Sequence, residues 1–346
     1  MKAAIYKGQK NIDIVNMPTP TPGDFDVVIQ NLYAGICGSD VAVYNHGTET
    51  GHKVGENHEF GHEAVSQVVS VGRKVTDFKV GDRVFPYPLY ARGDTSRAGS
   101  MGAFSEYILV PNAKLNRELY LIPQEIETRT ATMIEPFTVG TCAARHAHPI
   151  AGDQAIVYGA GTIGLAAAIA LKHFGVKKVV LVDRSEFRLQ IAQQLGFEII
   201  NNSQQHVHER ATEILGTTQG LHGTDYPNAN IFIDAVGRND ILQEFIDLGP
   251  IDSRFVTVGI NNSNPTLDML ELIYGSKSVG GSGGYRPEDV KTVMAIMKGH
   301  QFNLPLMITG EFDQNNLEEA IQDATDVNHA LKVLINYHVQ SNNYNV

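Results

Sequence analysis

Residues 155–164 read Ala155-Ile156-Val157-Tyr158-Gly159-Ala160-Gly161-Thr162-Ile163-Gly164, an apolar run that breaks into G-x-G-x-x-G and continues as Ala- and Leu-rich sequence to Phe174. The hexamer alone is weak, because glycine-rich turns are common. Its place after an apolar strand and at the head of a helix gives it meaning. Gly159 permits a tight turn, Gly161 lets the backbone approach a pyrophosphate, and Gly164 lets the helix pack on the strand. The amides of the helix start, at Thr162 and Ile163, and the positive end of the helix then hold the phosphates. Asp183 follows the next apolar run, Lys178 to Val182, and lies 19 residues beyond Gly164. A carboxylate there accepts hydrogen bonds from the adenosine ribose and repels a 2′-phosphate, which favours NAD over NADP. Arg184 and Arg188 pull the other way, since either can pair with a 2′-phosphate. Asp183 outweighs them, and Arg188 is grouped with the cofactor-binding residues.

Outward from this stretch the alternation continues. An amphipathic helix is expected from Glu186 to Leu195, a strand from Asn230 to Asp234, a helix near Ile241 to Leu248 and a strand from Arg254 to Gly259. Apolar strands alternating with helices predict a parallel sheet covered on both faces, an α/β doubly wound unit of the Rossmann kind. The first third is different: Val27 to Ile29 and Ala64 to Val71 read as strands, with Gly and Pro punctuation that marks a β-rich region. Helices near Pro287 to Lys298 and Asn316 to Thr325 and a strand from Leu331 to Ile335 close the chain, and the polar Ser341 to Asn345 is expected to fray.

The 346 residues suffice for two domains with a core in each. Lys and Arg total 27 against 38 Asp and Glu, a net charge of −11, and no basic tract interrupts that balance. A nucleic-acid or anionic-membrane surface is therefore not expected. The amino terminus lacks the pattern of a signal peptide, and no apolar stretch reaches membrane-spanning length. Two cysteines, Cys37 and Cys142, make no disulfide framework, so a cytoplasmic location is expected. Cys142, in an Ala-rich helical stretch, reads as core.

Three short segments carry candidate metal ligands: Cys37 in Gly35-Ile36-Cys37-Gly38-Ser39-Asp40, His62 and Glu63 after Gly61, and Glu135 before Pro136. Thiolate, imidazole and carboxylate together suit zinc, and three protein ligands with an open position suit a catalytic site. His58-Glu59-Phe60-Gly61-His62 is also a formal H-E-x-x-H. That metalloprotease signature needs both His on one helical face, and Gly61 within the segment speaks against a helix.

The ordered set Cys37-Gly38-Ser39-Asp40, Gly61-His62-Glu63 with Val68, Val71 and Gly72, then Val75, Phe78 and Gly81-Asp82-Arg83-Val84 resembles the zinc-dependent medium-chain alcohol dehydrogenase family. Gly102-Ala103-Phe104-Ser105-Glu106-Tyr107 and Glu135-Pro136 with Val139-Gly140 extend the match, so the resemblance spans essentially the whole chain. Glu63 after His62, and the Glu-Pro pair, resemble the sorbitol (polyol) and butanediol dehydrogenase branch. The resemblance implies a β-rich GroES-like catalytic domain, residues 1–145 plus 286–346, interrupted by a Rossmann dinucleotide domain at 146–285. It implies zinc on Cys37, His62, Glu63 and Glu135, with the two Glu alternating as ligand or one acting through water. It further implies hydride transfer between NAD(H) and a secondary alcohol, polyol or diol, with a ketone in the reverse direction. Ser39 is the position that takes the alcohol proton, and Asp40 the one that orients His62. Partners expected are the small-molecule substrate and copies of the same chain, as homodimer or homotetramer, joined partly through Phe255 to Val279.

Two departures stand out. The relatives' relay His five positions after the Cys is Ala42 here, with His46 or water as the substitute, and Ser66 replaces a Gly. The four-cysteine lobe of many relatives has no counterpart between Tyr87 and Met101, so one catalytic zinc and no structural zinc is expected. Tyr44, His46 and Phe104 are candidate pocket residues. Tyr285 and Arg286 lie where the polyol branch fixes substrate or cofactor. Two rival functions remain: a sugar-alcohol phosphate dehydrogenase, which needs a basic pocket from Arg286 with Arg92 or Arg97, and a non-catalytic NAD-binding relative, which would have lost the ligands that stand here.

Overall fold

The computed structural model describes residues 1–48, 54–92, 99–221, 223 and 225–338. The chain divides into two compact units, Met1–Glu135 with Met307–Val346, and Pro136–Leu306.

The first unit opens with strands β1 (Lys2–Gly8), β2 (Asn11–Asn16) and β3 (Val27–Gly35), followed by helix α1 (Gly38–His46). Then come β4 (His58–Glu59), β5 (Glu63–Val71), β6 (Arg83–Pro86), the single turn α2 (Pro88–Ala91), β7 (Tyr107–Val110), β8 (Leu119–Leu121) and the turn α3 (Thr128–Ala131). Helix α4 (Ile134–His146) leads into the second unit. There β9 (Gln154–Tyr158), α5 (Thr162–His173), β10 (Lys178–Asp183), α6 (Glu186–Gln194), β11 (Glu198–Asn201) and α7 (Val207–Leu215) alternate. A hairpin of β12 (Thr217–Gln219) and β13 (Asp225–Pro227) precedes β14 (Ile231–Asp234), α8 (Asn239–Leu248), β15 (Arg254–Thr257), α9 (Met269–Gly275), β16 (Ser278–Gly281) and α10 (Pro287–Lys298). The first unit is completed by β17 (Ile308–Asp313), α11 (Leu317–Asp323) and β18 (Lys332–Asn336).

In the second unit the strands stand in the order β11-β10-β9-β14-β15-β16 and every pair is parallel. That is the doubly wound order 3-2-1-4-5-6, whose reversal beside the first strand opens a crevice at the carboxyl ends. All five residues of β9 are buried, which is why the strand reads as a continuous apolar run. In the first unit a sheet of order β17-β18-β3-β5-β6-β8, with β7 also on β3, wraps a core that includes Val27, Ile29, Val68, Val84 and Phe104. The strands β18, β3 and β5 are adjacent, with Leu334 opposite Gly35 and Gly35 opposite Glu63. Among the described residues no helix is long and apolar enough to cross a membrane. Cys142 is buried in α4, where its thiol donates to the carbonyl of Ser282 at 3.2 Å.

Candidate active site

Helix α1 starts at Cys37 because the local sequence caps it there. The Asp40 carboxylate accepts the Cys37 N–H at 2.9 Å, while the Cys37 side chain faces the Asp40 amide. Gly47, with φ +74°, ends the helix. The thiol is thereby fixed on the last residue before a helix, with Ser39 and Asp40 buried behind it.

His62 and Glu63 enter at the head of β5. Gly61 has φ +88°, and a Cβ there would lie 2.7 Å from the Phe104 ring, so glycine alone fits. The Gly102–Ser105 loop is held against this point by the Ala103 and Phe104 amides, which donate to the carbonyls of Gly61 and Phe60. Buried Asn31 donates to the carbonyls of Gly102, Ala103 and Ser105 at 2.7–3.3 Å, and its own carbonyl accepts from the Ser66 hydroxyl at 2.7 Å. Ser66 thereby orients the amide that ties the loop down.

The consequence is a convergence of three side chains. Ligand atoms of Cys37, His62 and Glu63 lie within 4.8 Å of one another, and His62 and Glu63 are buried. Glu63 Oε1 is buried with no hydrogen-bond partner, as is Asp40 Oδ1. An orphaned carboxylate oxygen, buried on a side chain clustered with a thiol and an imidazole, is costly unless a cation takes it up. Sulfur, nitrogen and carboxylate oxygen are the donor set of zinc, so the residues present fit the metal. Glu135 stands apart from this set, buried at the head of α4, although both His62 and Lys332 feel its charge.

The second oxygen of Glu63 reveals a residue that the motifs did not announce. Lys332, at the start of β18, donates to Glu63 Oε2 at 2.6 Å and to the Ile36 carbonyl at 3.0 Å, with both partners of the ion pair buried. Lys332 and Glu63 lie on strands flanking β3, and they meet over Gly35. A Cβ at Gly35 would stand 2.1 Å from Glu63 Oε2. Burial pushes the Lys332 ammonium toward losing its proton, but the charges of Glu63 and Cys37 outweigh this and raise its pKa.

Burial likewise lowers the His62 pKa, yet the Asp40 charge and a hydrogen bond with Cys37 carry it well above the usual imidazole range. Asp40 Oδ1 lies 3.8 Å from His62 Nδ1. Burial pushes the Asp40 carboxyl up to about 7 against the pull of His62. Of the other candidates, Tyr44 and Phe104 are packed into the core and His46 stands exposed at the end of α1. His58 and Glu59 form a strand against β1, and Glu59 pairs with Arg92 at 3.1 Å. The H-E-x-x-H segment is thus not helical.

In the second unit the Gly159–Gly164 turn has the anticipated geometry. Gly159 has φ +97°, and a Cβ at Gly164 would lie 1.8 Å from the Gly159 carbonyl. Gly161 is the N-cap of α5 and no side chain caps the helix, so its Thr162 and Ile163 end presents amides where an anion would sit. Asp183 accepts from the Ala160 amide at 2.7 Å and the Ser185 amide at 2.9 Å, one oxygen each. Arg188 is half-buried, with Nη1 3.5 Å from where a Cβ at Gly161 would be. Burial lowers the Arg188 pKa while the Asp183 charge opposes that shift. Arg286 is exposed at the N-cap of α10, and Arg97 lies outside the described residues.

Residues 23–123 match the alcohol dehydrogenase GroES-like domain family and residues 162–299 the zinc-binding dehydrogenase family. The chain is 30% identical to the (R,R)-butanediol dehydrogenase of Bacillus subtilis strain 168, over 92% of this chain and 94% of the relative. It is 27% identical to the L-threonine 3-dehydrogenase of Streptomyces coelicolor, over 94% of this chain and 96% of that one. The solved structure of the short chain alcohol dehydrogenase rspB of Escherichia coli CFT073, complexed with NADH, superposes with a TM-score of 0.83 at 27% identity, covering 97% of this chain and 99% of that chain. With a zinc-type donor set in a GroES-like unit and a glycine turn on a Rossmann sheet, the chain is an oxidoreductase that belongs to the zinc-dependent medium-chain alcohol dehydrogenase family.

Proposed function

We propose that this enzyme transfers hydride between NAD(H) and a secondary alcohol, polyol or diol, with the matching ketone as substrate in reverse. The buried convergence of Cys37, His62 and Glu63, with Glu63 Oε1 left unpartnered, carries this reading. Cys37, His62 and Glu63 would hold one zinc ion, which lowers the pKa of an alcohol oxygen and polarises a ketone. Glu135 would be the second carboxylate, alternating with Glu63 as ligand, or one of the two would act through water. No cysteine outside Cys37 and Cys142 exists to build a structural site, and both thiols stay reduced in a cytoplasmic setting.

The chain's own residues divide the remaining work. Ser39, buried beside Cys37, accepts the alcohol proton; with Ala42 in place of a relay imidazole, the proton leaves by water or by way of His46 at the exposed end of α1. Asp40 keeps the imidazole of His62 in place from 3.8 Å while it caps α1. Gly159, Gly161 and Gly164 with the Thr162 and Ile163 amides receive the pyrophosphate, and Asp183 takes the ribose hydroxyls in preference to a 2′-phosphate. A neutral substrate is favoured over a phosphorylated one, because Arg92 is already neutralised by Glu59 and Arg286 alone remains of the described basic candidates.

Self-association through the second unit is the favoured quaternary state, as homodimer or homotetramer. Strand β16 is the edge of its sheet, and Leu270, Ile273 and Tyr274 beside it are 62%, 65% and 70% exposed.

NADH formation by purified protein with secondary alcohols, diols, polyols and polyol phosphates, with and without chelator, tests the proposal. Chelator-sensitive oxidation of a neutral alcohol, diol or polyol is expected. Turnover confined to a phosphorylated polyol would move the substrate class to the rival. NAD binding with no oxidation or ketone reduction at all would remove the proposed substrate range.

A further inference from the structure

The glycine turn after β9 is not held by its own strand alone. Its neighbour β14 ends in Asp234, which is 2% exposed and whose carboxylate curls the following turn back on itself. Oδ1 accepts the amides of Val236 and Gly237, both at 2.8 Å, and Oδ2 accepts that of Arg238 at 3.3 Å. The main-chain carbonyl of the same residue accepts the amides of Val258 and Gly259, both at 2.9 Å, after β15. On the other side the Ala235 amide donates to the Tyr158 carbonyl at 2.9 Å, at the end of β9. Asp234 and Ala235 together thus join the loops that leave three neighbouring strands at their carboxyl ends, the edge at which doubly wound sheets bind ligands, and the Asp234 side chain is what fixes the turn between them.

The fit around this joint is close on both flanks. A Cβ on Gly159 would lie 3.1 Å from Val236 Cγ2 and 3.4 Å from the Ala235 carbonyl carbon. On the far side, Gly237 has φ +83° and a Cβ there would lie 2.5 Å from the Ile260 carbonyl, while one on Gly259 would lie 2.2 Å from the Gly237 amide. The Val236 turn therefore backs directly onto Gly159, with little slack. Val236, next to the Gly159 turn, and Ile260, against Gly237, remain 45% and 48% exposed. A carboxylate this deeply buried is tolerated only where donors surround it, and here three backbone amides do.

We propose that Asp234 is a positioning residue for the dinucleotide: its carboxylate fixes the Ala235–Arg238 turn, which in turn backs the Gly159 turn and presents Val236 to the cofactor. It touches no reacting atom, and the inference rests on the dinucleotide reading of the Gly159–Gly164 turn. Asp234 acts through geometry, so it governs how tightly the cofactor binds and leaves the chemical step alone.

Asp234→Ala removes both acceptors. Asp234→Asn keeps one oxygen able to accept from Val236 and Gly237, and Val236→Ala shortens the presented side chain without touching the joint. Titration of each full-length variant with NADH and with NADPH, alongside zinc content and steady-state kinetics, tests the inference. Asp234→Ala is expected to weaken NADH binding roughly ten-fold or more, and Asp234→Asn to stay within about three-fold. Val236→Ala is expected to weaken binding by about two- to five-fold. KM for NAD should rise with Kd in all three while kcat and zinc content hold, a split that simple destabilisation would not produce. Should Asp234→Ala fail to fold, Asp234→Asn and Val236→Ala carry the test. Unchanged NADH affinity in Asp234→Ala, or in Val236→Ala where Asp234→Ala does not fold, or a loss of kcat with no change in KM, would overturn the proposal. Wild-type protein that binds neither NADH nor NADPH would instead sink the dinucleotide reading, and the proposal with it.

Discussion

Lys332 is the residue on which the proposed metal centre leans. Its ammonium is buried against Glu63, so replacing it with methionine strips Glu63 Oε2 of the Lys332 donor and leaves a buried carboxylate without its cation. Breaking such a pair costs about 3–5 kcal/mol, and Lys332→Met should unfold at distinctly lower denaturant than the wild type. The double variant Glu63→Gln, Lys332→Met should recover part of that loss; equal unfolding midpoints for wild type and Lys332→Met would show that the pair is not holding the site. His62 responds to pH in a definite direction. Its pKa is raised in the fold, so the protonated ring persists to higher pH than in a free histidine, and a cation must displace that proton. Zinc retention should therefore fall with pH, and dialysis against a weak chelator should strip the protein faster at about pH 5.5 than at about pH 8. Equal loss at both would mean that His62 does not ligate.

At the scale of elements, β18, β3 and β5 form the site by adjacency, and Gly35 is what lets their side chains meet. Gly35→Ala places a methyl on the Glu63 carboxylate oxygen, and no rotation of a buried, ion-paired side chain relieves a 2.1 Å approach cheaply. The variant should lose about 1–3 kcal/mol of stability and bind zinc less than stoichiometrically, as elemental analysis would show. Such relations mark the boundary of what the sequence discloses. The turn at Gly159 was legible because its glycines stand together between an apolar strand and a helix, whereas the motif at Cys37-Gly38-Ser39-Asp40 was read as a ligand segment and its role as the cap of α1 is seen only in the structure. Lys332 was not legible, since it is 269 residues from Glu63 and in sequence is simply a residue within the strand expected from Leu331 to Ile335. Ser66 read as a tolerated departure, and only the strand register, which sets it opposite Asn31, shows its hydrogen bond. Glu135 read on equal terms with Glu63, yet α4 sets it apart from the close trio. Register and long-range pairing decide these cases, and neither is written in local spacing.

At the scale of the whole molecule, the proposed function falls in two parts: a cluster of Cys37, His62 and Glu63 in the β-rich unit, and the Gly159–Gly164 turn in the unit with the parallel sheet. The alternation visible in sequence announces a parallel, doubly wound sheet, whereas its six-strand order and the edge strand β16 come from the structure. If that edge joins copies of the chain, Ile273→Glu should lower the mass measured by light scattering to that of a single chain, with NADH affinity retained; an unchanged mass would exclude α9 from the contact. The most direct test of the zinc-dependent chemistry is a metal titration. Metal-stripped, NAD-saturated protein is given zinc in steps, and NADH formation from a secondary alcohol, diol or polyol that the wild type oxidises is followed at each step. Activity should start near zero, rise linearly and level off at about one zinc per chain, and Cys37→Ala should regain none of it. Full turnover in the stripped protein, or saturation only at two zinc ions per chain, would contradict a single catalytic metal held by Cys37, His62 and Glu63.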